Sequence, residues 1–442
     1  MTGRKQPFNA GRRRFLVTTV GAGAGLTLGM HLAGCSREEK ILPGAGPGKA
    51  GGEVVADTRF EPNAFLRIGT DNRVTVIIKH LEMGQGTYTG MATLVAEELD
   101  AAWSQVDVEG APADAGTYNN LFWGKVQGTG GSTAIANSWE QMRKAGAAAR
   151  EMLVAAAARH WQVPGGEIAV RDGVLRHAAS DRQATFGELA DAASREAVPE
   201  EVFLKEPGEF RLIGTRVPRK DGPGKVNGTA LFTQDVKLPG MLTALVAHPP
   251  RFGARVKSFD ATRAKAVAGV VDVLEIPAGV AVLGRDFWSA SQGRDALKVE
   301  WDESDALTLG SAGIMSQYRQ LADTPGSVAR HDGDAASALQ SASKVLRADM
   351  EFPYLAHAAM EPMNCVMQRT GEGVEVWNGE QFQTPDQQAI AKAFGIAPEQ
   401  VKINMLYAGG SFGRRANPAS DYLLETADIV KAIDGRAPVK LV

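Results

Sequence analysis

Gly409-Gly410-Ser411-Phe412-Gly413-Arg414-Arg415 belongs to a set of glycine-rich loops that is the most informative feature of this 442-residue chain. It follows a strand-like run, Val401–Leu406, and precedes a helix that the pair Asn417-Pro418 is expected to open. Glycine at such a junction lets the backbone approach a bulky ligand and direct N–H groups at anionic atoms. The stretch therefore predicts a loop that binds a large, anionic ligand.

Two more glycine-rich loops lie earlier, Glu82-Met83-Gly84-Gln85-Gly86 and Gly128-Thr129-Gly130-Gly131-Ser132. The first follows the β-branched run Arg73–Lys79 and precedes a helical pattern over Thr87–Asp100, and the second precedes an Ala-rich helix over Thr133–Trp161. Each loop alone could equally be a simple glycine-rich turn. Because the loops are far apart in sequence, only a fold that gathers them could use them for one ligand.

The composition is that of a globular protein, with 44% hydrophobic and 22% charged residues. The formal net charge is -3, although the first 34 residues contain basic side chains and no acidic ones. The remainder is therefore net acidic, which argues against nucleic acid as a partner.

The N-terminus has the layout of an export signal. Arg12-Arg13-Arg14-Phe15-Leu16 matches the twin-arginine pattern and opens an uncharged stretch that ends at Gly34. A retained transmembrane helix is the alternative, because the stretch is about the ~20 residues that span a bilayer. Its glycines make it a poor helix, so the pattern favours export.

Leu32-Ala33-Gly34-Cys35 resembles a lipobox, in which Cys35 would be lipidated. The two signals together predict a location on the periplasmic side of the cytoplasmic membrane, with the protein held there by an N-terminal lipid anchor. Residues 36–64 are rich in Gly, Pro, Glu and Lys and predict a flexible tether.

The chain has two cysteines, Cys35 and Cys365, and seven scattered histidines. These residues predict no iron–sulfur cluster and no metal site built from protein side chains. Cys365, after the turn at Pro362, is expected to be a small buried hydrophobe. Any metal must then arrive inside an organic cofactor.

Longer stretches carry a family resemblance. Residues 219–242 resemble the opening of an α/β hammerhead domain, Ala356–Pro362 resembles the entry to a cofactor domain, and Trp377–Gln381 resembles the end of its Trp-x-x-x-Gln strand. With the three glycine loops, the chain resembles the molybdopterin-binding subunit of the xanthine dehydrogenase and aldehyde oxidase family. Arg414 and Arg415 indicate the isoquinoline 1-oxidoreductase beta subunit branch.

The resemblance implies an α+β fold in which permuted molybdenum-cofactor-binding domains flank the hammerhead domain. The expected segments are a signal (1–35), a tether (36–64), a second-type molybdopterin-binding domain (65–200), the hammerhead domain (212–305), a linker (306–345) and the start of a first-type molybdopterin-binding domain (346–442).

The resemblance also implies the site. The cofactor is the molybdenum cofactor, in its molybdopterin cytosine dinucleotide form, and Gln381 matches the glutamine that donates a hydrogen bond to a molybdenum oxo ligand. The residues expected to bind it are Gln85, Gly86, Gly130, Gly131, Ser132, Gln381, Gly410, Phe412, Gly413 and Arg414. No catalytic residue is assigned, because the family's general-base glutamate is expected beyond Val442, and Glu361 before Pro362 is expected to be structural.

The implied activity is oxidation of aldehydes or N-heteroaromatic compounds with water as the oxygen source. Electrons would pass to a small [2Fe-2S] partner subunit, because this chain lacks the four thiolates of a cluster. Two alternatives stay open at this point: a catalytically incomplete fragment of such a subunit, and an exported, lipid-anchored binding protein.

Overall fold

A computed structural model describes residues 59–442. The chain divides into two compact units, the first containing residues up to 235 with 377–388 and 402–408, the second containing 236–376, 389–401 and 409–442. Arg12, Arg13, Cys35 and residues 36–58, on which the signal and most of the tether were predicted, lie outside the described residues.

Between residues 59 and 235, the first unit contains two sheets and four α-helices. A four-stranded sheet has the order β1-β2-β3-β4 and a three-stranded sheet the order β5-β6-β7. The strands are β1 (Arg59–Asn63), β2 (Leu66–Gly69), β3 (Val74–Ile78), β4 (Val106–Gly110), β5 (Ile168–Arg171), β6 (Val174–His177) and β7 (Arg182–Thr185). The helices are α1 (Thr87–Leu99), α2 (Ala134–Trp161), α3 (Phe186–Ala193) and α4 (Gly222–Asn227).

The hydrophobic pattern explains this core. Leu66 and Ile68 alternate along β2 and are buried, while β3 is almost entirely buried. Strand β3 pairs in parallel with β4, and α1 forms the connection between them. The predicted strand over Arg73–Lys79 and the predicted helix over Thr87–Asp100 are confirmed by β3 and α1.

Helices α1 and α2 approach closely because α2 carries a glycine at the contact. A Cβ at Gly146 would lie 2.4 Å from the carbonyl oxygen of Val95. The predicted Ala-rich helix is confirmed, beginning at Ala134 and ending at Trp161. The start of α3 also follows its sequence: Thr185 Oγ1 accepts from Glu188 N at 3.3 Å, and Glu188 Oε2 accepts from Thr185 N at 2.7 Å.

In the second unit, β10, β11, β8, β16 and β13 are neighbours in that order within a seven-stranded sheet that continues to β14 and β15, and β12 pairs with β9. The strands within this unit are β8 (Leu242–Ala247), β9 (Arg255–Asp260), β10 (Val270–Ile276), β11 (Gly279–Gly284), β12 (Lys298–Asp302), β13 (Cys365–Thr370) and β16 (Val439–Leu441). Its helices are α5 (Thr262–Lys265), α6 (Phe287–Asp295), α7 (Ser311–Ala322), α8 (Ala335–Ser341) and α10 (Asp421–Ala432). Three elements contain residues of both units: β14 (Gly373–Asn378), β15 (Val401–Met405) and α9 (Gln383–Phe394).

The helix expected at Asn417-Pro418 begins later, at Asp421. The Asn417 side chain accepts from Ala419 N at 2.8 Å, and Ser420 has a left-handed φ of 51°. An asparagine side chain that bonds to nearby backbone offers the chain a turn instead of a helix, which explains the delay.

Cys365 is buried at the start of β13, as expected for a small hydrophobe. No helix within residues 59–442 is both long and apolar enough to cross a membrane.

Candidate functional site

The loop Glu82–Gly86 connects the region after β3 to the start of α1. Gln85 closes the loop on itself, because its Nε2 donates to Leu81 O at 2.7 Å and its Oε1 accepts from Met83 N at 2.8 Å. Gly84 and Gly86 have left-handed φ values of 113° and 95°. Apart from the glycine itself and its two chain neighbours, no described atom lies within 4 Å of where a Cβ would stand on either glycine. The loop is internally fixed and has an open side.

The loop Gly128–Ser132 leads into α2 and is joined to the first loop through Thr129. This threonine is buried, and its Oγ1 accepts from Leu81 N at 2.9 Å. The same oxygen lies 3.3 Å from Nδ1 of His80. The backbone at the end of β3 is thereby tied to the middle of the second glycine loop.

Thr129 also pairs with Gln381. Thr129 N donates to Gln381 O at 2.9 Å, and Gln381 Nε2 donates to Thr129 O at 2.7 Å. Two residues away, Gln127 N donates to Thr384 Oγ1 at 2.8 Å. Gln381 is therefore held against the second glycine loop by one hydrogen bond that its main-chain oxygen accepts and one that its side chain donates.

Two aromatic rings lie so close to the first glycine of that loop, Gly128, that a side chain there would contact them. A Cβ at Gly128 would lie 2.9 Å from Phe382 and 3.0 Å from Trp123. The two rings meet edge to face with centroids 6.3 Å apart. A larger residue at 128 would push these rings apart and move the loop away from Gln381.

Two basic side chains lie buried behind this arrangement. Lys79 Nζ donates to Gln141 Oε1 at 2.7 Å and to Asn119 O at 3.0 Å, both neutral acceptors. Burial lowers the pKa of Lys79 to about 7. Burial, reinforced by the positive charge of Lys79, lowers the pKa of His80 to about 3, so the imidazole is neutral near pH 7.

In the second unit, the loop Gly409–Arg415 is built around Glu361. Gly409 N donates to Glu361 Oε2 at 2.8 Å, and Arg415 Nη2 lies 3.1 Å from the same oxygen. Asn364 Nδ2 donates to Glu361 Oε1 at 3.0 Å. A Cβ at Gly409 would lie 2.4 Å from the Glu361 Cβ, so only glycine fits there. Glu361 thus binds main-chain and side-chain groups of this loop, and its structural role stays a prediction.

The outer part of this loop is strained and open. Phe412 has a left-handed φ of 56° and is 72% exposed, both uncommon for a large apolar residue. Gly410 and Gly413 have φ values of 101° and 92°, and no described atom stands within 4 Å of a Cβ at Gly413. Arg414 binds Asp421 through two hydrogen bonds, of 2.9 and 2.7 Å.

The structure thus gathers six of the predicted site residues in the first unit and places four in the loop of the second unit. The first set is Gln85, Gly86, Gly130, Gly131, Ser132 and Gln381; the second is Gly410, Phe412, Gly413 and Arg414. Sequence reasoning missed Thr129, the residue that joins both loops of the first unit to Gln381. Its polar side chain inside a run of glycines was the available signal.

Both units have features suited to a large ligand with polar edges. The open sides of Gly84, Gly86 and Gly413 admit a bulky group without a clash. Arg415 Nη1 is buried and has no hydrogen-bond partner within the described residues. A buried donor without an acceptor lowers the stability of the folded protein, and an acceptor on a ligand would remove this cost. Among residues 59–442, no group of three or more His, Cys, Asp or Glu side chains could hold a metal ion.

Comparisons with known proteins agree on one family. Two family models, each described as a molybdopterin cofactor-binding domain, match residues 9–237 and 321–442. The chain is 33% identical to the isoquinoline 1-oxidoreductase subunit beta of Brevundimonas diminuta, over 84% of this chain and 53% of that protein. It is 31% identical to a membrane-bound aldehyde dehydrogenase [pyrroloquinoline-quinone] of Gluconacetobacter polyoxogenes, over 100% of this chain and 56% of that one.

The chain spans about half the length of these curated relatives. A solved structure, quinoline 2-oxidoreductase from Pseudomonas putida 86, is also similar, with a TM-score of 0.41 and 21% identity over 52% of this chain and 34% of that chain. The family models and the curated relatives confirm the resemblance that the glycine loops predict. The chain belongs to the molybdopterin-binding subunit family of the xanthine dehydrogenases and aldehyde oxidases, with the isoquinoline 1-oxidoreductase beta subunit among its relatives.

Proposed function

We propose that this chain is the cofactor-binding part of a molybdenum hydroxylase that oxidises aldehydes or N-heteroaromatic compounds, with water as the oxygen source. The observation that carries the proposal is the position of Thr129, which joins the Glu82–Gly86 loop, the Gly128–Ser132 loop and Gln381 within one unit. The substrate classes follow the names of the relatives, an isoquinoline oxidoreductase and an aldehyde dehydrogenase.

The ten predicted residues would hold the cofactor, in its cytosine dinucleotide form. When bound, the molybdenum cofactor supplies the two-electron redox chemistry. The residues of this chain would hold the cofactor in position. The hydrogen bond from Nε2 to Thr129 O fixes the direction of the Gln381 side-chain amide. Phe412, exposed on a strained loop, would cover an apolar part of the ligand.

We also propose the domain order expected from the resemblance, with the hammerhead domain at residues 212–305 between permuted cofactor-binding domains. Residues 65–200 would form the second-type domain and 346–442 the start of the first-type domain, joined through the linker 306–345.

The proposed partner is a small [2Fe-2S] subunit, which would take the electrons that the cofactor receives. The proposed location is the periplasmic side of the cytoplasmic membrane, with export through the Arg12-Arg13 signal and lipidation at Cys35. Native affinity purification should then recover iron and a Cys-rich subunit with this chain.

An oxygen-labelling experiment tests the reaction class. The full natural protein, purified from its host with its partners, is incubated with an aldehyde or an N-heteroaromatic compound in ¹⁸O-labelled water and an artificial electron acceptor. The proposal requires product that carries one ¹⁸O atom. Product oxygen that comes from O₂, or turnover without molybdenum, would contradict it.

A further inference from the structure

The carboxylate of Glu82 lies at the N-terminal end of α1, where an anion bound to a helix end would lie. Its Oε1 accepts from Gly84 N at 2.8 Å and from Gly86 N at 3.1 Å, while its Oε2 accepts from Tyr88 N at 3.1 Å. The Thr87 hydroxyl lies 3.5 Å from Oε2. Glu82 is fully buried. The chain's own carboxylate therefore satisfies three main-chain donors of this loop and helix start.

Arg219 also binds Glu82 and this loop. Its Nη2 lies 3.0 Å from Glu82 Oε1, and its Nη1 donates to Gly84 O at 3.0 Å. Asp221 fixes the guanidinium with bonds to Nε at 2.9 Å and to Nη2 at 2.7 Å. The charge of Glu82 is thus compensated, and the loop carbonyl as well as its amides are engaged.

We propose that Glu82 is an internal anion that pre-forms the Glu82–Gly86 loop and closes the α1 N-terminus to ligand phosphate. A phosphate at the same N–H groups would stand beside a buried carboxylate that already accepts from those donors. Arg219 already pairs with Glu82 and Asp221, so the charge of a second anion there would be left uncompensated. The loop contacts its ligand instead across the open sides of Gly84 and Gly86. This differs from the expectation that all three glycine loops direct their N–H groups at anionic atoms.

Glu82 is therefore a positioning residue for this loop. The identity of the ligand as the molybdenum cofactor rests on the proposed function. The occupation of the α1 N-terminus by the Glu82 carboxylate does not depend on it. Preorganisation of this kind lets a ligand bind without the cost of ordering the loop.

Anion rescue of Glu82 variants tests the proposal on the full chain without cofactor. In Glu82→Ala the donors lose their acceptor, and the melting temperature should fall by about 5 °C or more. Sodium formate or inorganic phosphate should restore at least half of this decrease, relative to sodium chloride at equal ionic strength. Wild-type protein should not respond to either anion beyond the chloride control.

Glu82→Gln is the matched control, because its amide fills the same volume and leaves no room for an added anion. It should be destabilised and not rescued. A saturable phosphate response in wild type, or equal responses in the Ala and Gln variants, would overturn the proposal.

If Glu82→Ala does not fold, hydrogen exchange of the peptide containing residues 82–89 in Arg219→Gln gives the answer. The proposal expects faster exchange of the Gly84 and Gly86 amides than in wild type, and unchanged rates would overturn it. Because neither measurement uses molybdenum, anion rescue of Glu82→Ala together with wild-type protein that lacks the cofactor in its native host would contradict the proposed function alone.

Discussion

Thr129 and Gln381 are joined by two hydrogen bonds that run in opposite directions, although 252 residues separate them in sequence. Thr129 N donates to Gln381 O at 2.9 Å, and Gln381 Nε2 donates to Thr129 O at 2.7 Å. The glutamine amide therefore has a fixed direction relative to the second glycine loop. A loop and a side chain that act on one ligand need such a fixed relationship.

The Thr129 hydroxyl is expected to be important for stability as well as position. Thr129→Val keeps the shape but leaves Leu81 N without its acceptor, since the two atoms are 2.9 Å apart in wild type. The free energy of unfolding should fall by about 1–3 kcal/mol. Urea denaturation measures this. The exposed Thr215→Val is the control and should change stability by less than about 0.5 kcal/mol. Equal losses in the two variants would show that the bond from Leu81 N to the Thr129 hydroxyl does not contribute to stability in the expected way.

Because the pKa of Lys79 is lowered, we expect the free energy of unfolding to rise with pH. Its folded-state pKa of about 7 lies below the ordinary value of 10.5, so the unfolded chain binds a proton that the folded chain lacks between these values. The free energy of unfolding should therefore rise between about pH 7 and about pH 10 because of Lys79. The rise is at most about 1.4 kcal/mol per pH unit.

Lys79→Met removes this titration, so the difference in unfolding free energy between wild type and variant should change between pH 7 and pH 9. Lys144→Met, at a half-buried helix pair with Glu140, is the control. A difference that is constant with pH would contradict the burial of a positive charge at 79.

Glu361→Gln should destabilise the second unit strongly. Arg415 is fully buried and 3.1 Å from Glu361 Oε2, so the variant leaves its charge without a partner. A loss of about 3–5 kcal/mol is expected. Glu361→Gln combined with Arg415→Met should recover part of it, which a double-mutant cycle measures. Asp272→Asn, which breaks a pair with the exposed Arg436, should cost less than about 1 kcal/mol.

The N-terminal signals predict two separable effects on location. Replacing Arg12 and Arg13 by Lys should keep the folded protein in the cytoplasm, because the twin-arginine pattern is lost. Cys35→Ser should release exported protein from membranes. Cell fractionation with an antibody measures both. Wild type and both variants in one compartment would show that the signals are misread.

The sequence predicted features that depend on neighbouring residues. The Thr185–Glu188 cap, the helix that ends at Trp161 and the strand over Val74–Ile78 follow from local spacing. The glycine loops could also be found, because glycine at a strand–helix junction has a specific physical use.

Contacts between distant residues could not be predicted in this way. Arg219 and Glu82 are 137 positions apart, and nothing in either local sequence indicates the other. The filled anion site at α1 is for this reason absent from the sequence-based prediction. The late start of α10 was missed for a different reason: the Asn417 side chain competes with the helix backbone.

The most direct test of cofactor binding is the molybdenum and pterin content of the protein from its native host, for wild type and for Gln381→Leu. Gln381→Leu keeps the side-chain volume but removes the bond from Nε2 to Thr129 O. Gln400→Leu is the control, because the Gln400 side chain bonds Ala397 N and Glu372 O and no predicted site residue. We expect about one molybdenum and one pterin per wild-type and Gln400→Leu chain, and a several-fold loss in a folded Gln381→Leu protein. Wild-type protein that contains neither molybdenum nor pterin would show that this chain does not bind the molybdenum cofactor.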